Sequence, residues 1–336
     1  MLKRKREEAL CAGLKTVRLL TDVLYLKVYQ KHYFVVKRKG GIMDAQVDVQ
    51  ANRPEFSINL TRVGVTNVKK LIKVTRRDKR PIILVSEFDL FVDLPSDRKG
   101  ANLSRNFEVM DEALDEALNA PVYEIEQFCG DVAEKLLDRH EYASRAEVRM
   151  RSEYMVKRET PSTGITTQEI AEIFAETTTY RTGDKKHKTR LMIGAEVVGM
   201  TACPCAMEVV RKLEARDKTC SAPTHNQRNI GTLMIEVPRG TEVVDADDLI
   251  DIVEKSFSSP TYSILKRKEE AELVLKAHTK PKFVEDVVRD ILSSVLKRYR
   301  DLPDEVLVIA RSESEESIHK HNAFAERVTS LGDLRK

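Results

Sequence analysis

INLTRVGVTNVKKLIKV, from Ile58 to Val74, then a break at Arg76–Pro81, then IILVSEFDLFVDL, from Ile82 to Leu94, decide the fold class. Read as strand from Asn59 onward, both runs are rich in β-branched residues and alternate in part, as strands with one buried face do. Two helical stretches follow, Phe107–Leu118 (FEVMDEALDEAL) and Val122–His140, split by Pro121. Strand-like runs return at Arg145–Val156 and Thr189–Gly199, with the loop TPSTGITTQ and a short helix from Glu169 expected between them. The first half therefore reads strand, strand, helix, helix, strand, strand.

The second half echoes this order. Ile230–Val237 reads as a strand ended by Pro238–Gly240, and Asp247–Ser256 as a helix whose acidic first turn suits the helix dipole. Residues 281–299, PKFVEDVVRDILSSVLKRY, place Phe283, Val287, Val288, Ile291, Leu292 and Val295 on one apolar stripe behind an N-terminal proline. Glu305–Ser312 is a further strand, continuing toward His319. Strands joined as neighbours rather than through βαβ crossovers give an α+β class: two tandem ββααββ modules with antiparallel sheets and helices on one face. The expected divisions are a leader over 1–42, a first module over 43–199 and a second over 200–330.

With 336 residues, 41% hydrophobic and 33% charged, the chain can bury a sizeable core and is not a disordered one. No apolar run reaches the ~18 residues of a membrane span. Leu19–Val36 is interrupted by Asp22, Lys27, Lys31 and His32 and lacks a small-residue cleavage site, so a secretory signal is not expected. A cytoplasmic protein that binds no membrane is the expectation. Net charge is +3, but residues 1–42 hold 11 Lys/Arg against 3 Asp/Glu, leaving the remaining 294 residues at −5. An acidic body argues against a nucleic-acid partner. The leader is either a basic extension touching nucleic acid or anionic lipid, or the product of an upstream start with Met43 as the true one; the second reading is favoured.

Five cysteines (Cys11, Cys129, Cys203, Cys205, Cys220), two of them in a C-x-C pair, make a poor disulfide framework and suit a reduced compartment. Three segments carry chemistry: GMTACPCAMEVV with Cys203 and Cys205, SAPTHNQRNIG with His225, and ESIHKHNAFAE with His319 and His321. Taken singly, each has a bland reading: two small residues at a strand end, a satisfied loop histidine, a surface H-x-H. Together they offer a thiolate and two or three imidazoles, a set suited to Zn²⁺ or Fe²⁺. Without C-x₂-C pairs, an open catalytic site is the better reading than a closed structural one. Glu270 and Glu285 are the carboxylates to weigh; Glu285 stands about 200° from Phe283 at ~100° per residue, off the apolar stripe.

In order and in most of their spacing, CPC (203–205), HNQR (225–228), LKR-x-x-E (265–270), KPKFVED (280–286) and ESIH-x-H (316–321) resemble the type IB GTP cyclohydrolases. The resemblance covers Gly199–Glu326 closely and the first half more loosely, through TPSTGITTQEIA. It implies a bimodular tunnelling fold, assembled into homodimers or homotetramers with active sites at subunit interfaces. It further implies a metal held by Cys203, His225 and His319 with Glu270 as an additional ligand, and the guanine ring held by Glu285. Cys203 counts among the catalytic residues, His321 is the candidate general acid/base, and Cys205 belongs to the motif without an assigned role. Arg228 and Lys266–Arg267–Lys268 are either triphosphate contacts or a solvated basic loop. About ten extra residues around Leu213–Ala222, together with GMTACPCA and APTHNQRNIG, resemble the archaeal branch. That branch opens the imidazole ring of GTP at C8 and releases formate, with Fe²⁺ (Mn²⁺ or Zn²⁺ being accepted by the same ligands). Its product is 7,8-dihydroneopterin 2′,3′-cyclic phosphate, the first step toward methanopterin. The alternatives are the bacterial activity, which gives 7,8-dihydroneopterin triphosphate for folate or modified tRNA bases, a related pterin or queuosine-pathway enzyme, and a non-catalytic purine- or pterin-binding protein.

Overall fold

Strand β1 (Leu60–Arg76) folds back on β2 (Lys79–Leu94), and α1 (Ser104–Asn119) and α2 (Ile125–Arg139) lead to the long hairpin β3 (Arg145–Glu159) and β4 (Thr166–Gly183). The chain then runs through β5 (Lys186–Ala202), α3 (Pro204–Leu213), β6 (Asn226–Glu236), α4 (Ala246–Ser256), the two-residue β7 (Ser259–Pro260), α5 (Arg267–Thr279), α6 (Val284–Arg298), β8 (Leu307–Ser314) and β9 (Ala323–Ser330). This computed structural model describes residues 48–336, apart from 77–78, 120–121, 123, 184–185, 215–221 and 240–243. The leader expected at 1–42, with Cys11 and His32, lies outside the described residues, as does Cys220.

The strands form one sheet in the order β1-β2-β3-β4-β5-β6-β8-β9, every neighbouring pair antiparallel, with β7 attached to β5. With α3, β7 and α5 set aside, the order ββααββ occurs twice, in β1–β4 around α1 and α2, and in β5, β6, β8 and β9 around α4 and α6. Thr189–Gly199, read as the last strand of the first half, lies in β5 and opens the second set, because β4 fills the place beside β3. The register shows why one face is the core. Val68, Phe88, Met150, Ala175, Ile193, Ile235, Val308 and Thr329 pair in succession across eight strands, and all are buried. With a side-chain period of two, that row puts one side of the sheet under the helices. The buried apolar residues of α1, α2 and α4, and those of α6 from Val287 to Val295, join the same hydrophobic cluster. The other side carries charge, for instance Arg151 paired with Glu172 at 2.7 Å and Arg311 with Glu326. The structure is thus the expected α+β arrangement. Among the described residues, no helix is long and apolar enough to cross a membrane.

Helix α6 follows the stripe read from the sequence except at Phe283, which is the exposed N-cap residue, its expected place in the core being taken by Val284. It buries Val284, Val287, Val288, Ile291, Leu292 and Val295, each contributing about 1.5–3 kcal/mol, and Asp286 caps it by accepting the Phe283 N–H at 3.1 Å. One expectation is corrected. Glu169 is not in a short helix but within β4, paired with Val156. The apolar residues of QEIAEIFAE recur at helical as well as strand spacing; pairing on both sides, with β3 and β5, selects the strand.

Two glycines position the end of β5. A Cβ on Gly199 would stand 2.0 Å from the Phe257 ring, and one on Gly231 2.6 Å from Val253. Phe257, at the C-terminus of α4, therefore lies flat on the sheet. The next residue, Ser258, accepts the Ala202 N–H through its hydroxyl at 3.3 Å. The strand end that precedes Cys203 is held from the helix side.

Candidate active site

The β5–β6 ladder closes with Thr201 opposite Gln227 and Ala202 opposite Asn226. The next step beyond it brings Cys203 against His225, and the Cys203 N–H donates to the His225 carbonyl at 3.0 Å. Thr224 Oγ1 donates to the Cys203 carbonyl at 2.7 Å. Pro204 opens α3, where its missing N–H costs nothing, and the Cys203 Sγ accepts the Ala206 N–H at 3.5 Å. Cys203 is half-buried and Cys205 is exposed.

His225 is oriented from behind. Its Nδ1–H donates to Gln227 Oε1 at 2.9 Å. Gln227 is buried, and its amide nitrogen faces Thr201 Oγ1 at 3.5 Å and Glu316 Oε1 at 3.4 Å, which assigns Oε1 as the acceptor for His225. Glu316 Oε2 lies 3.7 Å from the same ring nitrogen. This leaves Nε2 with its lone pair free, the arrangement by which a protein prepares an imidazole for a metal. Beneath Gln227, Asn229 donates to Ser314 Oγ at 2.7 Å, Ser312 donates to Asn229 at 2.8 Å, and Thr201 and Ser314 share a hydroxyl contact at 3.3 Å. These buried polar groups satisfy one another, as burial requires.

His319 and His321 lie in the loop between β8 and β9 rather than on the strand expected to continue toward them. The rings of His225 and His319 meet at 88° with centroids 6.4 Å apart, and those of His319 and His321 stack 5.2 Å apart. The loop achieves the same-side placement that strand spacing would have given.

Beside this group is a cavity of about 220 Å³, whose lining includes Cys203, Gln227, Phe283, Glu285, Glu316 and Phe324. Glu285 stands exposed in the first turn of α6, off the buried stripe as expected. The Lys282 N–H donates to the Ala202 carbonyl at 3.0 Å, and its buried ammonium bonds the Ser256 carbonyl and Asp290, so this segment is pinned to the strand end.

The remaining sequence-named residues stand apart from that group. Arg228 is exposed and alternates with Gln227, which sends it to the other side of β6. Lys266 and Arg267 are exposed at the start of α5, and Glu270 is exposed one turn in. The neighbouring Glu269 is buried and fully engaged. Among the described residues, no three His, Cys, Asp or Glu side chains converge closely enough in this single chain to hold a metal ion. The donor types nonetheless fit one: a half-buried thiol, an imidazole with its outer nitrogen free, and a second imidazole perpendicular to it. Sequence reasoning missed Gln227 and Glu316 as the groups behind His225. Their signal was position alone, two residues after His225 and three before His319.

A family profile described as type I GTP cyclohydrolase folE2 matches residues 47–325. The chain belongs to that family. Among curated members, it is 54% identical over 306 residues to GTP cyclohydrolase MptA of Methanosarcina mazei, covering 86% of this chain and 96% of that protein. It is 55% identical over 303 residues to the MptA of Methanococcoides burtonii, covering 86% and 95%. Against the MptA of Methanobrevibacter smithii the identity is 47%, covering 86% and 97%. Among solved structures, the backbone is similar to uricase from Arthrobacter globiformis, with a TM-score of 0.46 at 9% identity over 80% of this chain and 93% of that one. The Cys203–His225 pair and the cavity at Glu285 both fall within the stretch that the cyclohydrolase profile covers.

Proposed function

We propose that this cyclohydrolase is of the type IB, archaeal kind. It opens the imidazole ring of GTP at C8, releases formate, and yields 7,8-dihydroneopterin 2′,3′-cyclic phosphate and pyrophosphate as the first step toward methanopterin. The observation that carries the reading is the strand-end pair of Cys203 and His225, with His225 Nδ1 engaged by Gln227 at 2.9 Å and the His319 ring facing it. Cys203, His225 and His319 would hold Fe²⁺, with Glu270, which stands apart from them in the single chain, as a further ligand supplied where two copies meet; Mn²⁺ and Zn²⁺ suit the same donors. Such an ion supplies Lewis acidity and lowers the pKa of water toward ~7.

The chain's own residues do the rest. Glu285, at the mouth of the cavity, accepts the guanine N1–H and 2-amino hydrogens, a pair of donors that adenine does not present. His321, stacked on His319 and open to solvent, moves the protons that ring opening requires. Gln227 and Glu316 keep His225 in one tautomer and orientation. Arg228, Lys266 and Arg267, exposed and apart from Cys203, suit a triphosphate bound between copies, in a homodimer or homotetramer with interface sites in the cytoplasm.

The test is anaerobic incubation with GTP and Fe²⁺ followed by mass analysis. Formate with the cyclic phosphate supports the reading. Formate with a pterin triphosphate moves the product to the bacterial type, and untouched GTP with metal bound makes the chain a binding protein. Glu285→Gln should leave metal content intact and lower kcat/KM for GTP by about tenfold to a hundredfold; an unchanged kcat/KM removes Glu285 from the guanine site.

A further inference from the structure

Helix α5 is poorly explained by its own sequence. Of its 13 residues only Glu269 and Ala277 are buried, while Leu275 is 62% exposed. Core burial therefore does not fix its position, and two polar anchors do.

At its N-terminus, the Glu269 carboxylate accepts the Ser162 N–H at 3.2 Å, the Thr163 N–H at 2.9 Å and the Thr163 hydroxyl at 2.9 Å on one oxygen. Its other oxygen accepts the Lys266 N–H at 2.9 Å. One buried side chain thus ties the turn between β3 and β4 to the start of α5, more than a hundred residues away. At the other end, the His278 ring lies between two carbonyls, its Nε2 3.2 Å from that of Thr224 and its Nδ1 2.7 Å from that of Val274 in its own helix, and Thr224 in turn bonds Cys203. The helix is a strut between the β3–β4 turn and the residue preceding His225.

Successive N–H groups in a Ser-Thr-Gly turn make an anion cradle. Here the cradle is filled from within by Glu269, so the turn is closed to a phosphate. The cations at this end of the helix are Lys266, Arg267 and Lys268, all exposed, with Lys268 3.6 Å from Glu272.

We propose that Glu269 is a positioning residue of the GTP site. It does not touch the substrate; it fixes the end of α5 that presents Lys266–Lys268 and Glu270, while His278 fixes the opposite end beside His225. The inference deepens the proposed GTP reading and rests on it for the identity of the ligand.

The experiment uses the iron-loaded full chain, with Glu269→Gln and the milder Thr163→Val, which removes one donor to the carboxylate. Binding of GTP and of guanosine, KM and kcat for GTP, metal content and amide exchange over residues 267–279 are measured together. Glu269→Gln should weaken GTP binding by about tenfold, the loss expected when groups that bind charge are misplaced, with guanosine binding unchanged and exchange across α5 accelerated. Thr163→Val should move GTP binding and exchange in the same directions by less, again with guanosine binding unchanged. Wild-type GTP binding and wild-type protection in Glu269→Gln overturn the proposal. So does lost protection with an unaltered GTP-to-guanosine ratio, which would make the residue only structural. If wild-type, iron-loaded protein neither binds nor turns over GTP, the proposed function has failed instead, and exchange over α5 alone decides the anchoring.

Discussion

His140 and His225 each bond an amide oxygen through one ring nitrogen, Asn106 Oδ1 at 2.9 Å for the first and Gln227 Oε1 at 2.9 Å for the second. They part at the other nitrogen. His140, just past α2, is fully buried, and the Tyr142 hydroxyl closes its Nδ1 at 2.8 Å. His225 has no partner of that kind at Nε2 among the described residues, and the His319 ring stands 6.4 Å from its own. Burial drives the His140 pKa down to about 4, with Arg105 and Arg98 adding to the effect. With both nitrogens occupied, His140 is part of the core; with one nitrogen held and the other offered, His225 is suited to a ligand.

The contrast breaks most sharply at Cys203. Cys203→Ala should abolish metal retention and turnover together while leaving the melting temperature near wild type, because a half-buried thiol contributes little packing; full activity with metal bound would dissolve the site. His140→Leu should do the opposite. It leaves the buried Asn106 Oδ1 without its imidazole partner and should cost about 2–4 kcal/mol of unfolding free energy by urea titration, with kcat for GTP unchanged in the folded fraction. The sign of its pH dependence follows from the lowered pKa. Between pH 6.5 and about 4 the unfolded chain binds the extra proton, so wild-type stability falls as pH drops through that window, and the variant should lose this slope.

Gln227→Leu comes next. It frees Nδ1 of His225 without touching the outer nitrogen, and metal affinity should fall about tenfold to a hundredfold; retained affinity would mean that the ring needs no support. The smallest effect belongs to Glu126, buried at the start of α2 with Oε2 lacking a hydrogen-bond partner among the described residues. Burial raises its pKa to about 7. The folded chain therefore holds a proton that the unfolded one loses, and stability declines as pH rises from 4.5 through 7. Glu126→Gln should raise the melting temperature by roughly 2–4 °C at pH 8 and make no difference at pH 5, read by calorimetry.

The same contrast explains what could be read before any coordinates. Strands β1 and β2 and helix α6 declare themselves through composition and period, because burial on one face is a local pattern. Strand β4 did not, since its apolar residues fit both periods and only its two neighbours settle the matter. Helix α5 was missed because it has no apolar stripe to read. At the site, the candidate donors Cys203, His225 and His319 were legible from the family motifs. Gln227 and Glu316 were not, because their roles depend on Thr201 standing opposite Gln227 across the ladder and on where the β8–β9 loop returns.

The closing step of the β5–β6 ladder sets a metric of its own. Cys203 and His225 are 22 residues apart along the chain, yet their separation in space is dictated by backbone pairing, with both ends of the connecting stretch returned to one rung. The length of that connection does not enter the geometry. The chain can accumulate residues around Leu213–Ala222 without altering the distance between thiol and imidazole, whereas a single residue gained inside either strand would turn one of them to the far side of the sheet. Insertion tolerance along this protein is therefore a map of its register, and a library of one-residue insertions scanned from Lys186 to Glu236 would trace the ladder by function alone.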